Sequence, residues 1–178
     1  MIKKLLLDIL TLSTIIVLFF IMLNCNNSSN NMVNPAFDNN SINGTISFVD
    51  TNVIVDTSGG YYSVDAFAVW PPTGNPSASV KIIPQKQSNN TYKASYKIPG
   101  LSNGSFVVTT AFIKTPYIQG SSVLGLGIYN TSNGCDTSHD NSCIFGTSVP
   151  RVTISYNQGV GGIDYRSWAD TLKQTYKF

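Results

Sequence analysis

The chain has 178 residues and a formal net charge of +2 at neutral pH. Its 11 Lys and Arg residues and 9 acidic residues, all of them Asp, are scattered, so there is no basic run of the kind that binds nucleic acid. Asn, Ser, Thr, Tyr and Gly are abundant and strong helix formers are scarce, so the composition favours β-structure.

The first 24 residues have the pattern of an export signal. Lys3 and Lys4 give a positive start, and an apolar run from residue 9 to residue 23 follows. This run has the length of the apolar core of a signal peptide and is shorter than the roughly 20 residues that span a bilayer. The sequence therefore predicts a signal peptide over residues 1–24, and an uncleaved anchor helix is the alternative.

This segment ends on Met22-Leu23-Asn24-Cys25, which resembles a bacterial lipobox in the looser form of spirochaete lipoproteins. In that family the cysteine thiol takes a diacylglyceryl group and its amine takes a fatty acyl chain such as palmitate. The resemblance therefore implies lipidation of Cys25. It also implies a bacterial cell-envelope location, as an outer-membrane lipoprotein that is periplasmic or surface exposed, with the membrane as a partner through the lipid anchor.

Residues 25–40 are predicted to be a flexible tether, because Asn and Ser dominate them and they are too polar to form a core. Residues 41–178 suffice for one domain with its own core. Within it, Val53-Ile54-Val55 predicts a short strand or a sheet edge.

Alternating apolar and polar residues predict further strands after residue 41. Two of them, at residues 92–98 and 106–112, flank a Gly-rich turn and are predicted to pair as an antiparallel hairpin. Seven to eight strands at this spacing suit an all-β, antiparallel two-sheet sandwich. The predicted strand faces are formed by Ile42, Gly44, Ile46 and Phe48; Tyr62, Val64, Ala66, Ala68 and Trp70; Val80, Ile82 and Ile83; Tyr92, Ala94, Tyr96 and Ile98; Phe106, Val108, Thr110 and Phe112; Leu124, Leu126 and Ile128; and Val152, Ile154 and Tyr156.

Two stretches carry a family resemblance. The strand opening Ile42-x-Gly44-x-Ile46 and the segment from Tyr96 to Val108, Tyr-x-Ile-Pro-Gly-Leu-x-x-Gly-Ser-Phe-Val-Val, resemble the prealbumin-like domains typified by the carboxypeptidase regulatory domain. The resemblance covers residues 41–114. It implies an Ig-like or transthyretin-like topology and an accessory or binding role, and it brings no catalytic residue.

The cysteines allow two interpretations. If Cys25 is lipidated, Cys135 and Cys143 remain as an even pair in an oxidising compartment, which predicts a disulfide. Such a bond would close a loop of about nine residues and contribute about 2.5 kcal/mol. A zinc site is the alternative, but this stretch offers only Cys135, His139 and Cys143 as ligands.

The same loop places oxygen ligands at alternate positions, Asp136, Ser138 and Asp140, like the start of a calcium loop. The central Gly and the closing Glu of an EF-hand are missing, so a solvated surface loop is the alternative interpretation. No cofactor or metal is expected.

His139 is the only histidine, and the Ser and Asp residues beside it lie in so short a loop that they cannot surround one substrate atom. The expected function is therefore a non-catalytic binding or adhesion module for a protein or glycan ligand, with loops at residues 71–79 and 130–148 for docking. An envelope hydrolase that uses His139 is one alternative. The other is carbohydrate binding through Trp70, Tyr165 and Trp168, although core packing also explains such aromatic residues.

Overall fold

The computed structural model describes residues 37–50, 59–132, 134–146 and 149–176. The predicted signal peptide, Cys25, most of the tether and the apolar run at residues 53–55 lie outside the described residues. Residues 37–40, predicted as tether, are bonded to the domain: Asn40 N donates to Asn157 O at 2.9 Å, and Asn40 O accepts from Leu101 N at 2.9 Å.

Strands dominate the described part of the chain. The sequence pattern missed β4, which has only two residues, and β9, which follows a Gly-rich stretch, so the described residues contain nine strands where seven to eight were predicted. The elements are β1 Ile42–Val49, β2 Gly60–Phe67, β3 Ala78–Ile82, β4 Gln85–Lys86, β5 Tyr92–Ile98, β6 Gly104–Lys114, β7 Val123–Ile128, a 3₁₀ turn Cys135–Thr137, helix α1 Asn141–Phe145, β8 Val152–Ile154 and β9 Tyr165–Trp168.

The strands form two sheets, which confirms the predicted all-β sandwich. The first sheet has the order β4-β5-β1-β9. The second has the order β3-β2-β6-β7, and β8 pairs with the start of β6. Among the described strands, β1 and β9 are the one parallel pair, so the sandwich is antiparallel except at this edge.

The predicted hairpin between residues 92–98 and 106–112 is wrong. Strand β5 pairs with β1 and β4, whereas β6 pairs with β2, β7 and β8. The connection between them crosses from one sheet to the other, and it buries Leu101, which is 2% exposed, against the core. Alternation reports which face of a strand is buried and does not specify its neighbour, so the same pattern fits a hairpin and a crossover.

The core lies between the two sheets and contains most of the apolar residues predicted for β1, β2, β5 and β6. The predictions for Ile83 and Tyr156 are wrong: each follows the end of its strand, and their exposed fractions are 65% and 89%. Two tyrosines bond to the last part of the chain: Tyr62 Oη donates to Ala169 O at 2.6 Å, and Tyr96 Oη donates to Ile163 O at 2.7 Å. These bonds satisfy hydroxyls that would otherwise be costly to bury, and they fix the chain at Ile163 and Ala169 to the two sheets.

Candidate functional site

The outer face of the β3-β2-β6-β7 sheet carries buried polar side chains. On β2, Tyr62 and Val64 belong to the core, so Ser63 and Asp65 point to the outer face by strand alternation. Ser63 is nevertheless fully buried, and Asp65 is only 5% exposed. A buried carboxylate is uncommon unless it is paired, and among the described residues Asp65 forms no ion pair, so this face needs a functional explanation.

The C-terminal segment, residues 175–176, covers part of this outer face. Thr175 N donates to Gly125 O at 2.9 Å, and the Tyr176 ring packs on Gly125. A Cβ atom at Gly125 would lie 2.2 Å from the Tyr176 ring, so a side chain there would displace the ring. Glycine on β7 is therefore what lets Tyr176 lie on the sheet.

The uncovered part of the outer face is a groove of about 520 Å³, a volume typical of small-molecule sites. Asp65, Ala111 and Ile113 of β2 and β6 line its floor. The loop at residues 72–76 lies on one side, and the loop that follows β6 contributes Tyr117 on the other. The strands hold the floor rigidly, and the loops determine what the groove admits.

Asp65 lies at the middle of the floor, paired across the strands with Ser79 of β3 and Thr109 of β6. Ser63 Oγ donates to Oδ2 at 3.0 Å, and Ser79 Oγ donates to Oδ1 at 2.5 Å. Burial raises the pKa of Asp65 above its ordinary value of 3.8, and these two hydrogen bonds oppose the rise. Among the described residues, no ion pair includes Asp65.

Tyr176 lies in the wall of the groove. Burial raises the pKa of its phenol, the Thr109 side chain opposes that rise, and the charge of Asp65 adds to it. Tyr176 therefore stays neutral at physiological pH and adds no charge to the groove.

Trp70, one of the three aromatic residues proposed for ligand binding, is half-buried beside this groove. Its Nε1 donates to Ile144 O at 2.6 Å. Its ring stacks on Phe145 at 6.2 Å between centroids and meets Tyr176 edge-on at 5.5 Å. Trp70 thus joins α1 to the C-terminal segment.

The other two aromatic residues lie elsewhere. Tyr165 is 5% exposed in the core between the sheets, where its hydroxyl lies 2.7 Å from Thr110 Oγ1. Trp168 is half-buried at the end of β9, and its Nε1 donates to Thr137 O at 2.9 Å. The structure therefore does not bring Trp70, Tyr165 and Trp168 together on one surface, because Tyr165 belongs to the core.

The predicted disulfide between Cys135 and Cys143 is present, with a Cα–Cα distance of 5.2 Å. Beside it, Asp136 is 6% exposed and accepts three hydrogen bonds from Arg166, two from the guanidinium and one from the backbone N–H. The bridged loop is thereby fixed to β9.

The three candidate calcium ligands make hydrogen bonds within the protein. Asp136 bonds to Arg166, Ser138 Oγ accepts from Asp140 N at 3.0 Å, and Asp140 caps α1 by accepting from Ser142 N at 2.8 Å. In the described part of the chain, no group of three or more His, Cys, Asp or Glu side chains is placed to hold a metal ion.

The His139 ring stacks on Trp168, at 6.1 Å between centroids and 23° between planes. Within the described ranges, no hydrogen bond joins this ring to a serine or to a carboxylate. The arrangement therefore lacks the nucleophile–base contact of a hydrolase.

The sequence did not distinguish Asp65 from Asp50 and Asp56, the other carboxylates near the first two strands. Asp50 is exposed and pairs with Lys173, and Asp56 lies outside the described residues. The available signal was the position of Asp65 in the middle of an alternating strand rather than at its end. What the pattern could not predict is that loops and the C-terminal segment cover the outer face there.

Comparisons with protein families, with curated proteins and with solved structures gave no match. The resemblances to lipoproteins and to prealbumin-like domains therefore stay predictions. None of the helices that the structure describes combines the length and the apolar character needed to cross a bilayer.

Proposed function

We propose that this protein is a lipid-anchored, non-catalytic binding module of a bacterial cell envelope, and that the groove over Asp65 is its ligand site. The observation that carries the proposal is a preformed groove with a buried carboxylate at its floor and aromatic rings at its walls. An apolar cleft with a few fixed polar groups is what ligand sites generally share. The export signal and the Cys25 lipobox supply the location.

The stacking of His139 on Trp168, with no hydrogen bond from its ring to a serine or a carboxylate among the described residues, favours binding over hydrolysis. A glycan is a second candidate ligand, because Tyr117 is 59% exposed beside the groove and the amides of Asn75 and Gln119 also line it. Exposed aromatic rings and side-chain amides are suited to sugar rings and their hydroxyls.

The experiment uses the full-length protein in detergent and two Trp substitutions at exposed apolar positions. Val123→Trp fills the groove beside β7, whereas Leu172→Trp adds the same side chain at a position that does not line it. Ligands found by titrating a panel of saccharides, short peptides and amines should lose affinity with V123W and keep it with L172W. Ligands that bind V123W and the unmodified protein equally would place the site elsewhere.

The anchor is tested separately by metabolic labelling with palmitate. The unmodified chain should incorporate the label, and Cys25→Ala should not. A labelled C25A chain, or an unlabelled unmodified chain, would contradict lipidation at this residue without bearing on the groove.

A further inference from the structure

Resting on the proposed function, we infer that the group the groove recognises is a ligand ammonium, which is held against Asp65 on the floor and between the aromatic walls. Asp65 is the one charged side chain among the described residues that line the groove. Its charge is therefore the strongest electrostatic feature that a ligand meets there.

Among the residues that the structure describes, no cation pairs with the Asp65 carboxylate. The three ion pairs in the described ranges join Lys97 to Asp38, Arg166 to Asp136 and Lys173 to Asp50. Lys81 on the neighbouring strand lies over the Tyr61 ring, 5.1 Å from its centroid, and makes no ion pair with Asp65. A buried carboxylate without a counter-ion is costly, and a ligand cation would remove that cost.

The hydrogen bonds around Asp65 favour an ammonium over a guanidinium. Each carboxylate oxygen already accepts one hydroxyl, from Ser63 or from Ser79, so a guanidinium fork would need the remaining lone pair of both oxygens at once, on a residue that is only 5% exposed. An ammonium can bind with a single N–H group to one carboxylate oxygen. Another of its N–H groups is suited to the hydroxyl oxygen of Ser79, which lines the groove and, while donating its hydrogen to Asp65, keeps lone pairs that can accept.

The walls add a second attraction for a cation. Tyr61, Phe67, Tyr117 and Tyr176 all line the groove. Their ring faces attract an ammonium, more strongly where water is excluded. Lys81 over Tyr61 shows the same type of contact within the protein itself, at the margin of this groove.

The test measures affinity by calorimetry on the full-length protein in detergent. Cadaverine, glucosamine and Nα-acetyl-lysine amide supply the ammonium from a diamine, an amino sugar and a side chain. Their neutral counterparts are 1,5-pentanediol, N-acetylglucosamine and Nα,Nε-diacetyl-lysine amide. At least one amine should bind more tightly than its neutral counterpart, and the preferred one identifies the source.

Asp65→Asn should weaken that amine by roughly 10- to 100-fold, the effect expected when a hydrogen bond to a charged group is lost. The matched control is Asp38→Asn, which removes the same charge from an exposed carboxylate that does not line the groove, and it should leave the affinity unchanged. If D65N unfolds, V123W tests whether the amine occupies the groove, the comparison of each amine with its neutral counterpart tests the charge, and the folding of V123W is checked by circular dichroism.

Three results would overturn the ammonium assignment: neutral counterparts that bind as tightly as the amines, an amine affinity that a folded D65N or a folded V123W leaves intact, or amines that fail to bind at all. If neutral ligands bind and V123W blocks them, the groove is still a ligand site and only the ammonium is rejected. If no ligand of either class is sensitive to V123W, the proposed site fails as well.

Discussion

Arg166 encloses the carboxylate of Asp136 with three donors. Its Nη2 lies 2.7 Å from Oδ1, while its Nε and its own backbone N–H lie 3.0 and 2.8 Å from Oδ2. The Asp136 side chain is 9% exposed, so these bonds are shielded from water more than an ordinary surface ion pair. They connect the disulfide-bridged loop to the parallel edge strand β9.

Replacing Asp136 with Ala should therefore lower the free energy of unfolding by about 1–3 kcal/mol, because the β9 backbone N–H and the guanidinium lose their partner. Urea denaturation followed by circular dichroism measures the change. Asp38→Ala removes the exposed carboxylate that pairs with Lys97, and it should alter stability by less than about 0.5 kcal/mol. Equal losses of unfolding free energy in the two variants would show that the burial of Asp136 does not strengthen its contribution to stability.

His139→Ala should leave ligand binding intact and change the free energy of unfolding by less than about 1 kcal/mol, because the ring is exposed and only stacks on Trp168. The full-length protein and the variant should release nitrophenol from ester and glycoside substrates at the same background rate. A rate well above background that disappears in H139A would establish the hydrolase alternative. His139→Gln, which keeps polarity without a base, is the matched control.

The sandwich could be predicted from the sequence because the evidence for each strand, the alternation of apolar and polar residues, is local. Tyr92, Ala94, Tyr96 and Ile98 alternate with polar residues, and the first and last of them lie on the same side of β5 as expected. Pairing partners are not local, which is why the crossover at Leu101 was read as a hairpin. A strand of two residues such as β4 is too short to show any period.

The candidate site depends on contacts that are distant in the sequence. Asp65 and Tyr176 are 111 positions apart, and only the fold brings both to one groove. The disulfide, by contrast, followed from counting cysteines, because a pair close in sequence leaves one simple partner choice. For Tyr165 the sequence suggested a ligand contact, whereas the structure places the residue in the core. An aromatic residue in a strand looks the same in sequence whether it faces a ligand or the core.

Asp65 should make stability depend on pH in an unusual direction. Because its pKa in the folded protein lies above the ordinary 3.8, the native state binds more protons than the unfolded state between 3.8 and the raised value. The free energy of unfolding should fall as pH rises through this window, by at most about 1.4 kcal/mol per pH unit. Below pH 3.8 the carboxyl is protonated in both states, and the stabilising contribution of neutral Asp65 to the folded protein is fully present.

Urea denaturation at a series of pH values tests this expectation. The difference in unfolding free energy between the unmodified chain and Asp65→Asn should shrink or reverse as pH rises from 3.8, since Asn carries no ionisation penalty. Asp38→Asn supplies the background slope from an exposed carboxylate. A difference between the two proteins that stays flat across the window would mean that Asp65 ionises as readily in the folded protein as in the unfolded chain.

Gly125 should be the position where the smallest substitution has the largest effect on the groove. A Cβ there would lie 2.2 Å from the Tyr176 ring, so Gly125→Ala must displace the C-terminal segment from the outer face. The expected cost is about 1–3 kcal/mol, the range of an overpacked core. Gly74 has no heavy atom within 4 Å of a Cβ built on it, although it also lines the groove, so Gly74→Ala is the matched control and should be nearly neutral.

The displaced ring also gives a local signal. Tyr176 meets Trp70 at 5.5 Å, so moving it should expose Trp70 and shift its fluorescence emission to longer wavelength in G125A but not in G74A. Because Tyr176 is part of the groove wall, ligand affinity should fall in G125A together with this shift. A stable G125A protein with unchanged emission and affinity would show that the C-terminal segment does not shape the site, and the groove would then be formed by β2, β6 and their loops alone.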